Sequence, residues 1–154
     1  STPIPYFEKS IQLDSNYVVG YQNLGTCYSK LGQLDKAIFY MNKAMLKDKK
    51  KNPNVLLTMA QVYNDKKDYV KADELIDRAK REFPLSDMPH ILHSNFLIAR
   101  GDTLNSVQQL SYAVDKNTAN EQVYKYLIQY YYKKGNITEA DRLRKILDKI
   151  SANK

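Results

Sequence analysis

Apolar and small residues recur along the chain at helical spacing, in stripes that alternate with short polar turns. Tyr21, Leu24, Gly25 and Tyr28 lie at positions i, i+3, i+4 and i+7, which places them on one face of a helix. Gly32 is expected to end that helix, because glycine tolerates a positive φ. A second stripe then runs through Leu34, Ala37, Ile38, Met41, Ala44 and Met45. The pattern predicts a pair of amphipathic helices joined by a tight turn.

The predicted helix pair recurs along the sequence. Four sets of positions share successive spacings of 35, 34 and 34 residues: Tyr28, Tyr63, Leu97 and Tyr131; Gly32, Lys67, Gly101 and Gly135; Ala37, Ala72, Ser106 and Ala140; Ala44, Ala79, Ala113 and Leu147. Small residues allow two helix axes to approach closely where a pair crosses. Four sets in one register predict an array of helical repeats, each of which buries its apolar face against its neighbours.

The period and the capping residues predict where the repeats begin. We expect one array over residues 1–154, composed of a half-repeat and four repeats: 3–17, about 18–52, 53–86, 87–120 and 121–154. Asn52 followed by Pro53 is a typical helix start, with a capping side chain before proline in the first turn. Asn136 with Glu139 three residues later resembles a capping box. The last helix carries many basic residues on one side, which suits a helix that closes an array.

The first repeat resembles a known family. The segment from Tyr21 to Tyr28, followed by Ala37, Met41 and Ala44, resembles the tetratricopeptide consensus of aromatic-x-x-Leu-Gly-x-x-Tyr and then Ala, a large apolar residue and Ala. The resemblance covers nearly all the chain, with departures such as Arg144 at a large apolar position. It implies an all-α fold, a right-handed superhelical solenoid of antiparallel helix pairs.

The resemblance also implies a binding surface, because in this family the first helices of successive repeats line a concave groove that holds the ligand. The matching positions hold Gln22, Thr26, Ser29, Lys30, Asn54, Leu57, Gln61, Asn64, Asp65, Met88, Ile91, Asn95, Ile98, Gln122, Lys125, Gln129, Tyr132 and Lys133. The amide side chains in this set could bind an extended peptide backbone. The apolar side chains could contact an anchor side chain or the apolar face of a helix. The lysines would favour a ligand of acidic character. We therefore expect a protein-interaction scaffold that binds a peptide or helical segment of a partner protein. The alternative interpretation is that these residues are merely exposed and polar.

The N-terminal half-repeat suggests a second function. It would form a helix carrying Phe7, Ile11 and Leu13 without its own first helix, so some apolar surface is expected to be uncovered. Either further repeats precede it, or this edge pairs with another copy of the chain. Assembly into homo-oligomers through the N-terminal edge is therefore the main alternative function.

The charge raises a third function, nucleic-acid binding. The chain has 24 basic and 17 acidic residues, a net charge of +7, and 13 tyrosines that could stack on bases. The repeat pattern disfavours this function, because it assigns core positions to Tyr21, Tyr28, Tyr63, Tyr69, Tyr124 and Tyr131. Packing thus accounts for many of the aromatic residues.

Few residues could support catalysis, a metal or a cofactor. His90 and His93 have a metal-ligand spacing, but they lie on an inward stripe, and Cys27 is the single cysteine. No phosphate-binding loop and no hydrolase motif is present. We expect no enzyme activity, no cofactor and no metal site. No apolar run is long enough to span a membrane, so we expect a soluble protein, of the cytoplasm or the periplasm.

Overall fold

The computed structural model describes residues 3–49 and 52–152, and within these ranges the chain forms nine α-helices and no strand. The helices are α1 Ile4–Leu13, α2 Val18–Lys30, α3 Leu34–Lys47, α4 Pro53–Asp65, α5 Tyr69–Glu82, α6 Met88–Ala99, α7 Thr103–Asp115, α8 Glu121–Lys133 and α9 Ile137–Ala152. The all-α class predicted from the pattern is confirmed. None of the described helices is both long and apolar enough to cross a membrane.

Four of the turns have the same backbone conformation. The helices α2 and α3, α4 and α5, α6 and α7, and α8 and α9 pack against each other as pairs, and each pair is joined by a three-residue turn. The central turn residues Gly32, Lys67, Gly101 and Gly135 have φ values of 72°, 63°, 82° and 75°. The positive φ of Gly32 agrees with the expectation that glycine ends this helix, and the same backbone conformation occurs at Lys67, where lysine replaces glycine.

The hydrogen bonds of these turns explain why the positions of Tyr28 and Gly32 keep the same spacing in all four helix pairs. The N–H of Gly32 donates to the carbonyl of Ser29, and the N–H of Gln33 donates to the carbonyl of Tyr28, both at 2.9 Å. The other three turns repeat both bonds. This is the Schellman arrangement, which satisfies carbonyl groups at the end of a helix and needs a positive φ at the turn residue.

A glycine allows α2 and α3 to approach closely. A Cβ atom on Gly25 would lie 2.6 Å from Cε of Met41 and 3.2 Å from the carbonyl oxygen of Ala37. Both distances are shorter than van der Waals contact, so any side chain here would push the helices apart. Ala37 and Ala44 on α3 are buried as well. The predicted role of the small residues is thus confirmed for this pair.

Asparagine caps start α4 and α9 as the sequence predicted. Oδ1 of Asn52 accepts a hydrogen bond from the N–H of Asn54 at 2.9 Å, and Oδ1 of Asn136 accepts one from the N–H of Glu139 at 3.2 Å. Glu139 does not complete a capping box, because its carboxylate binds the guanidinium of Arg142 at 2.6 Å. This hydrogen bond lowers the pKa of Glu139.

The contacts divide the chain into two compact units, an N-terminal unit that ends at Pro84 and a C-terminal unit that begins at Leu85. The core of the N-terminal unit includes Leu24, Tyr28, Ala37 and Val62. The core of the C-terminal unit includes Val107, Leu110, Ala113, Val114, Val123, Tyr124, Leu127 and Leu143. The extension of one array over the whole chain stays a prediction.

The expectation for α1 was wrong in one respect. Phe7 and Ile11 are not uncovered, because they pack against the core of the N-terminal unit. Ile11 can do so since Gly20 on α2 lacks a side chain: a Cβ there would lie 2.9 Å from Cγ2 of Ile11. Leu13 is uncovered as expected, with 80% exposure, and Tyr6 on the same helix is 71% exposed.

Candidate partner-binding surface

In the N-terminal unit, polar side chains from α2 and α4 that the sequence assigned to the groove lie side by side. Nε2 of Gln22 donates to Oγ1 of Thr58 at 3.2 Å, and Oγ of Ser29 donates to Oδ2 of Asp65 at 3.3 Å. Nε2 of Gln61 donates to the other oxygen of Asp65 at 2.7 Å. This half of the predicted surface is therefore a network in which the polar groups already satisfy one another.

The other predicted residues of this unit differ in their exposure. Lys30 and Asn54 are exposed, whereas Asn64 is half-buried. The Thr26 hydroxyl donates to a carbonyl of its own helix, at Gln22, with a distance of 3.0 Å. These side chains add one exposed cation and one exposed amide to the polar network.

Leu57 was assigned to the groove as an apolar contact, but the structure buries it. Its side chain is only 6% exposed, and its neighbours Val55 and Leu56 are buried too. Three consecutive buried residues cannot lie on one helical face, so α4 is covered on more than one side. Leu57 therefore contributes to the core and is not available as an apolar contact for a ligand.

In the C-terminal unit, the predicted residues of α6 and α8 line a common pocket of about 500 Å³. Its lining includes six predicted residues, Ile91, Asn95, Ile98, Gln122, Lys125 and Gln129, together with Leu110, Asn120, Val123 and Tyr126. The volume is within the range of ligand-binding pockets, and an apolar lining with a few polar groups is typical of them. Met88, also predicted, is exposed and does not line this pocket.

The polar side chains of this pocket differ from those of the N-terminal unit. Within residues 3–49 and 52–152, no group forms a hydrogen bond with the side-chain amides of Asn95 and Gln129, and both side chains are exposed. Nζ of Lys125 lies 3.2 Å from Oε2 of Glu121, one turn earlier on α8. The pocket therefore presents unengaged amides, those of Asn95 and Gln129 among them, each with donor and acceptor atoms.

A hollow of about 510 Å³ adjoins this pocket and shares Lys125 and Gln129 with it. Its lining is completed by Ile128, Tyr132, Lys133, Arg144, Leu147 and Asp148, so α8 and α9 both contribute. Three of its side chains are cationic and one is anionic. Arg144 and Leu147 are not among the residues that the sequence predicts for the surface. Their departure from the repeat pattern was the signal that could have revealed them.

Tyr132 is held in place between α8 and α9. Its Oη donates to Oδ1 of Asp141 at 2.7 Å, and Cζ of Arg144 lies 5.2 Å from the centre of its ring. The hydrogen bond to Asp141 raises the pKa of Tyr132, so this phenol stays protonated at neutral pH. Tyr132 is therefore a fixed wall of the hollow.

The two histidines have structural neighbours. Nδ1 of His90 lies 3.0 Å from Oε1 of Gln109, and its ring lies 5.5 Å from that of Tyr112. Across the described part of the chain, no three His, Cys, Asp or Glu side chains are grouped as a metal site would require.

Some of the tyrosines that were assigned to the core are buried, and others are not. Tyr28 and Tyr124 are buried, and the hydroxyl of Tyr124 donates to the carbonyl of Thr118 at 2.9 Å. Tyr69 was assigned to the core, but it is 41% exposed at the first residue of α5.

Comparison with known proteins agrees with the repeat pattern. Residues 6–39 match the family model described as tetratricopeptide repeat, which spans α1, α2 and the beginning of α3. No curated protein matches the chain. The resemblance to this family, stated from the sequence, is confirmed.

Several solved structures share the fold at low identity. A crystal structure of MamA is 16% identical with a TM-score of 0.69, over 97% of this chain and 87% of that chain. MamA from Desulfovibrio magneticus RS-1 is 12% identical with a TM-score of 0.67, over 98% and 85% of the two chains. The C-terminal part of a TPR repeat-containing protein from Cytophaga hutchinsonii is 17% identical with a TM-score of 0.73, over 96% of this chain and 58% of that chain. The helical-repeat fold class is confirmed by these similarities.

Proposed function

We propose that this chain, of which residues 6–39 match the tetratricopeptide-repeat model, is a protein-interaction scaffold that holds a peptide or helical segment of a partner against the first helices of its repeats. The family and the shared fold support an interaction scaffold in general, and they favour binding over catalysis. The finer proposal concerns the surface itself. Its main contact is the pocket between α6 and α8.

The observation that carries this proposal is the pairing of unengaged amides with apolar side chains in that pocket. Asn95 and Gln129 offer donors and acceptors that suit the backbone of an extended peptide. Ile91 and Ile98 lie on the same wall as Asn95 and offer a surface for an apolar anchor side chain. Backbone hydrogen bonds would hold the peptide, and the anchor would select its sequence.

The adjoining hollow gives the ligand a preferred charge. Lys125, Lys133 and Arg144 line it against the single carboxylate of Asp148. Opposite charges across an interface increase the association rate and specificity. A ligand with acidic residues beside its apolar anchor therefore suits this surface best. The network on α2 and α4 would contribute less, because a ligand there must replace hydrogen bonds that already exist.

The test uses peptides selected from a random-peptide display library against the wild-type protein. The double variant Asn95→Ala and Gln129→Ala removes both amides, and a matched double variant, Asn42→Ala and Gln108→Ala, removes exposed amides from the second helices. Two lost hydrogen bonds should weaken binding of the selected peptides by roughly tenfold or more. The matched variant should bind like the wild type, and circular dichroism should show equal helicity for all three proteins.

Two results would refute the groove proposal. One is that the double variant binds the selected peptides as tightly as the matched variant does. The other is that the library yields only peptides whose binding is insensitive to all residues of α6 and α8. Loss of helicity in the double variant would attribute its effect to folding, and the single variant Gln129→Ala, at an exposed position, then provides the comparison.

A second candidate function rests on the exposed apolar side chains of α1. Tyr6 and Leu13 are seven positions apart, which places them on one face of the helix, and both are mostly exposed. Self-association through this face would explain them. The double variant Tyr6→Ser and Leu13→Ser should then lower the molar mass measured by light scattering at high concentration. A wild-type protein that is strictly monomeric removes this candidate.

A further inference from the structure

A cavity of about 740 Å³ lies at one end of the N-terminal unit, away from the predicted groove residues. It is formed where α2 begins and α3 ends, and its lining consists of Asn16, Val18, Val19, Lys43, Leu46, Lys47, Asp48, Lys49 and Asn52. None of the eighteen residues assigned to the groove belongs to this lining. The cavity is therefore a separate surface, and we call it the lysine-rimmed cavity.

Two apolar side chains in the lining of this cavity are exposed to solvent. Leu46 is 83% exposed and Val19 is 46% exposed, and both face the same concave space. Burying an exposed apolar side chain stabilises a protein or a complex. The two side chains therefore offer an apolar contact that the unit itself does not use.

The rim of the cavity is cationic. Lys43, Lys47 and Lys49 belong to its lining, together with a single carboxylate, that of Asp48. Oδ2 of Asp48 accepts a hydrogen bond from the N–H of Asn52 at 2.6 Å, so this carboxylate serves the turn before α4. The positive charges at the rim consequently exceed the negative ones, and they surround apolar side chains.

One of these lysines is held in a defined position. Nζ of Lys47 donates to Oδ1 of Asn16 at 3.3 Å and lies 5.7 Å from the centre of the Tyr21 ring. Both contacts restrict a side chain that is otherwise flexible, so less entropy would be lost when an anion binds it. An ammonium held beside an apolar floor is a suitable partner for a carboxylate that follows an apolar residue.

We infer that the lysine-rimmed cavity is a second docking site, for a peptide segment in which an apolar side chain is flanked by carboxylates. The apolar side chain would contact Val19 and Leu46, and the carboxylates would pair with Lys43, Lys47 and Lys49. A volume of about 740 Å³ can receive a peptide side chain with its flanking residues, and an anionic membrane is the alternative that the vesicle experiment below tests. This site is independent of the groove in the C-terminal unit.

The test uses a short labelled peptide with Leu-Phe flanked by Glu-Asp on each side, and backbone amide shifts of the full chain. The shifts should change at Val19 and Leu46. Leu46→Ser should weaken binding roughly tenfold, because the site loses its most exposed apolar contact. Leu104→Ser, a matched change of an exposed leucine in the other unit, should have no effect on these shift changes. Replacing Leu-Phe in the peptide by Ser-Ser, or its acidic residues by lysine, should abolish them.

The controls separate this site from the groove and from a membrane. The groove variant with Asn95→Ala and Gln129→Ala should keep the shift changes at Val19 and Leu46, even if the groove proposal fails. Equal binding by wild type and Leu46→Ser, or equal binding of the Ser-Ser peptide, would overturn the inference. So would shift changes at Val19 and Leu46 that appear with phosphatidylserine vesicles and not with the peptide.

Discussion

At the scale of single residues, Lys67 has a backbone conformation that suits glycine better. Its φ of 63° matches those of the glycines at the three equivalent turns, and a left-handed backbone costs an L-residue about 1–2 kcal/mol. Glycine loses more entropy on folding, which offsets part of that cost. Lys67→Gly should therefore raise the free energy of unfolding by roughly 0.5–1 kcal/mol, measured by urea denaturation. Gly101→Ala should lower it by a similar amount, and a destabilised Lys67→Gly protein would contradict this account.

Two buried serines provide a matched pair. Ser94 and Ser106 have 0% exposure. The hydroxyl of Ser106 donates to the carbonyl of Thr103 at 2.7 Å, but within the described residues the hydroxyl of Ser94 has no hydrogen-bond partner. A buried and unsatisfied polar group costs about 1–3 kcal/mol, so Ser94→Ala should raise the free energy of unfolding by about 1 kcal/mol. Ser106→Ala should lower it. Equal effects of the two substitutions in urea denaturation would show that the hydroxyl of Ser94 is satisfied in solution.

At the scale of helices, the N-cap side chain forms a capping hydrogen bond at the second helix of three pairs, but not at the second helix of the fourth pair. Asp68, Asp102 and Asn136 each accept a hydrogen bond from the N–H three residues further on. Gln33 occupies the N-cap position of α3, but its side chain accepts no hydrogen bond from a backbone N–H of the first turn. Gln33→Asp should therefore raise the free energy of unfolding by about 1 kcal/mol. The thermal midpoint should rise with it, and Gln33→Ala should show no gain.

The helices and their turns could be predicted from sequence, and the sides on which they are buried could be predicted only in part. Periodicity identifies one stripe on a helix, but the width of the buried surface depends on how many neighbours surround that helix. Leu57 is buried because α4 is covered on more than one side. Phe7 and Ile11 are packed because Gly20 leaves room for α1 beside α2. Both facts depend on neighbours that no single stripe describes.

At the scale of the whole molecule, the cavities were the least predictable features. The pocket between α6 and α8 depends on where the side chains of Asn95 and Gln129 end, and these amides could be expected there only from the family. The lysine-rimmed cavity combines Val19 at a helix start with Leu46 near a helix end, far apart in sequence. These two residues come together because their helices pair, and no sequence motif indicates that they do. Surfaces that the repeat does not need for its own packing are therefore found only from the structure.

The division of contacts at Pro84 predicts that stability is distributed by unit. Leu24 and Leu143 are fully buried leucines in the cores of the N-terminal and C-terminal units. Replacing either by alanine should lower the free energy of unfolding by about 2–4 kcal/mol. Repeats interact mainly with their neighbours, so a local loss need not spread over the chain. In amide hydrogen exchange, Leu143→Ala should reduce protection mostly in α6–α9, and Leu24→Ala mostly in α1–α5. An equal reduction over all helices in both variants would mean that the chain opens as one cooperative unit.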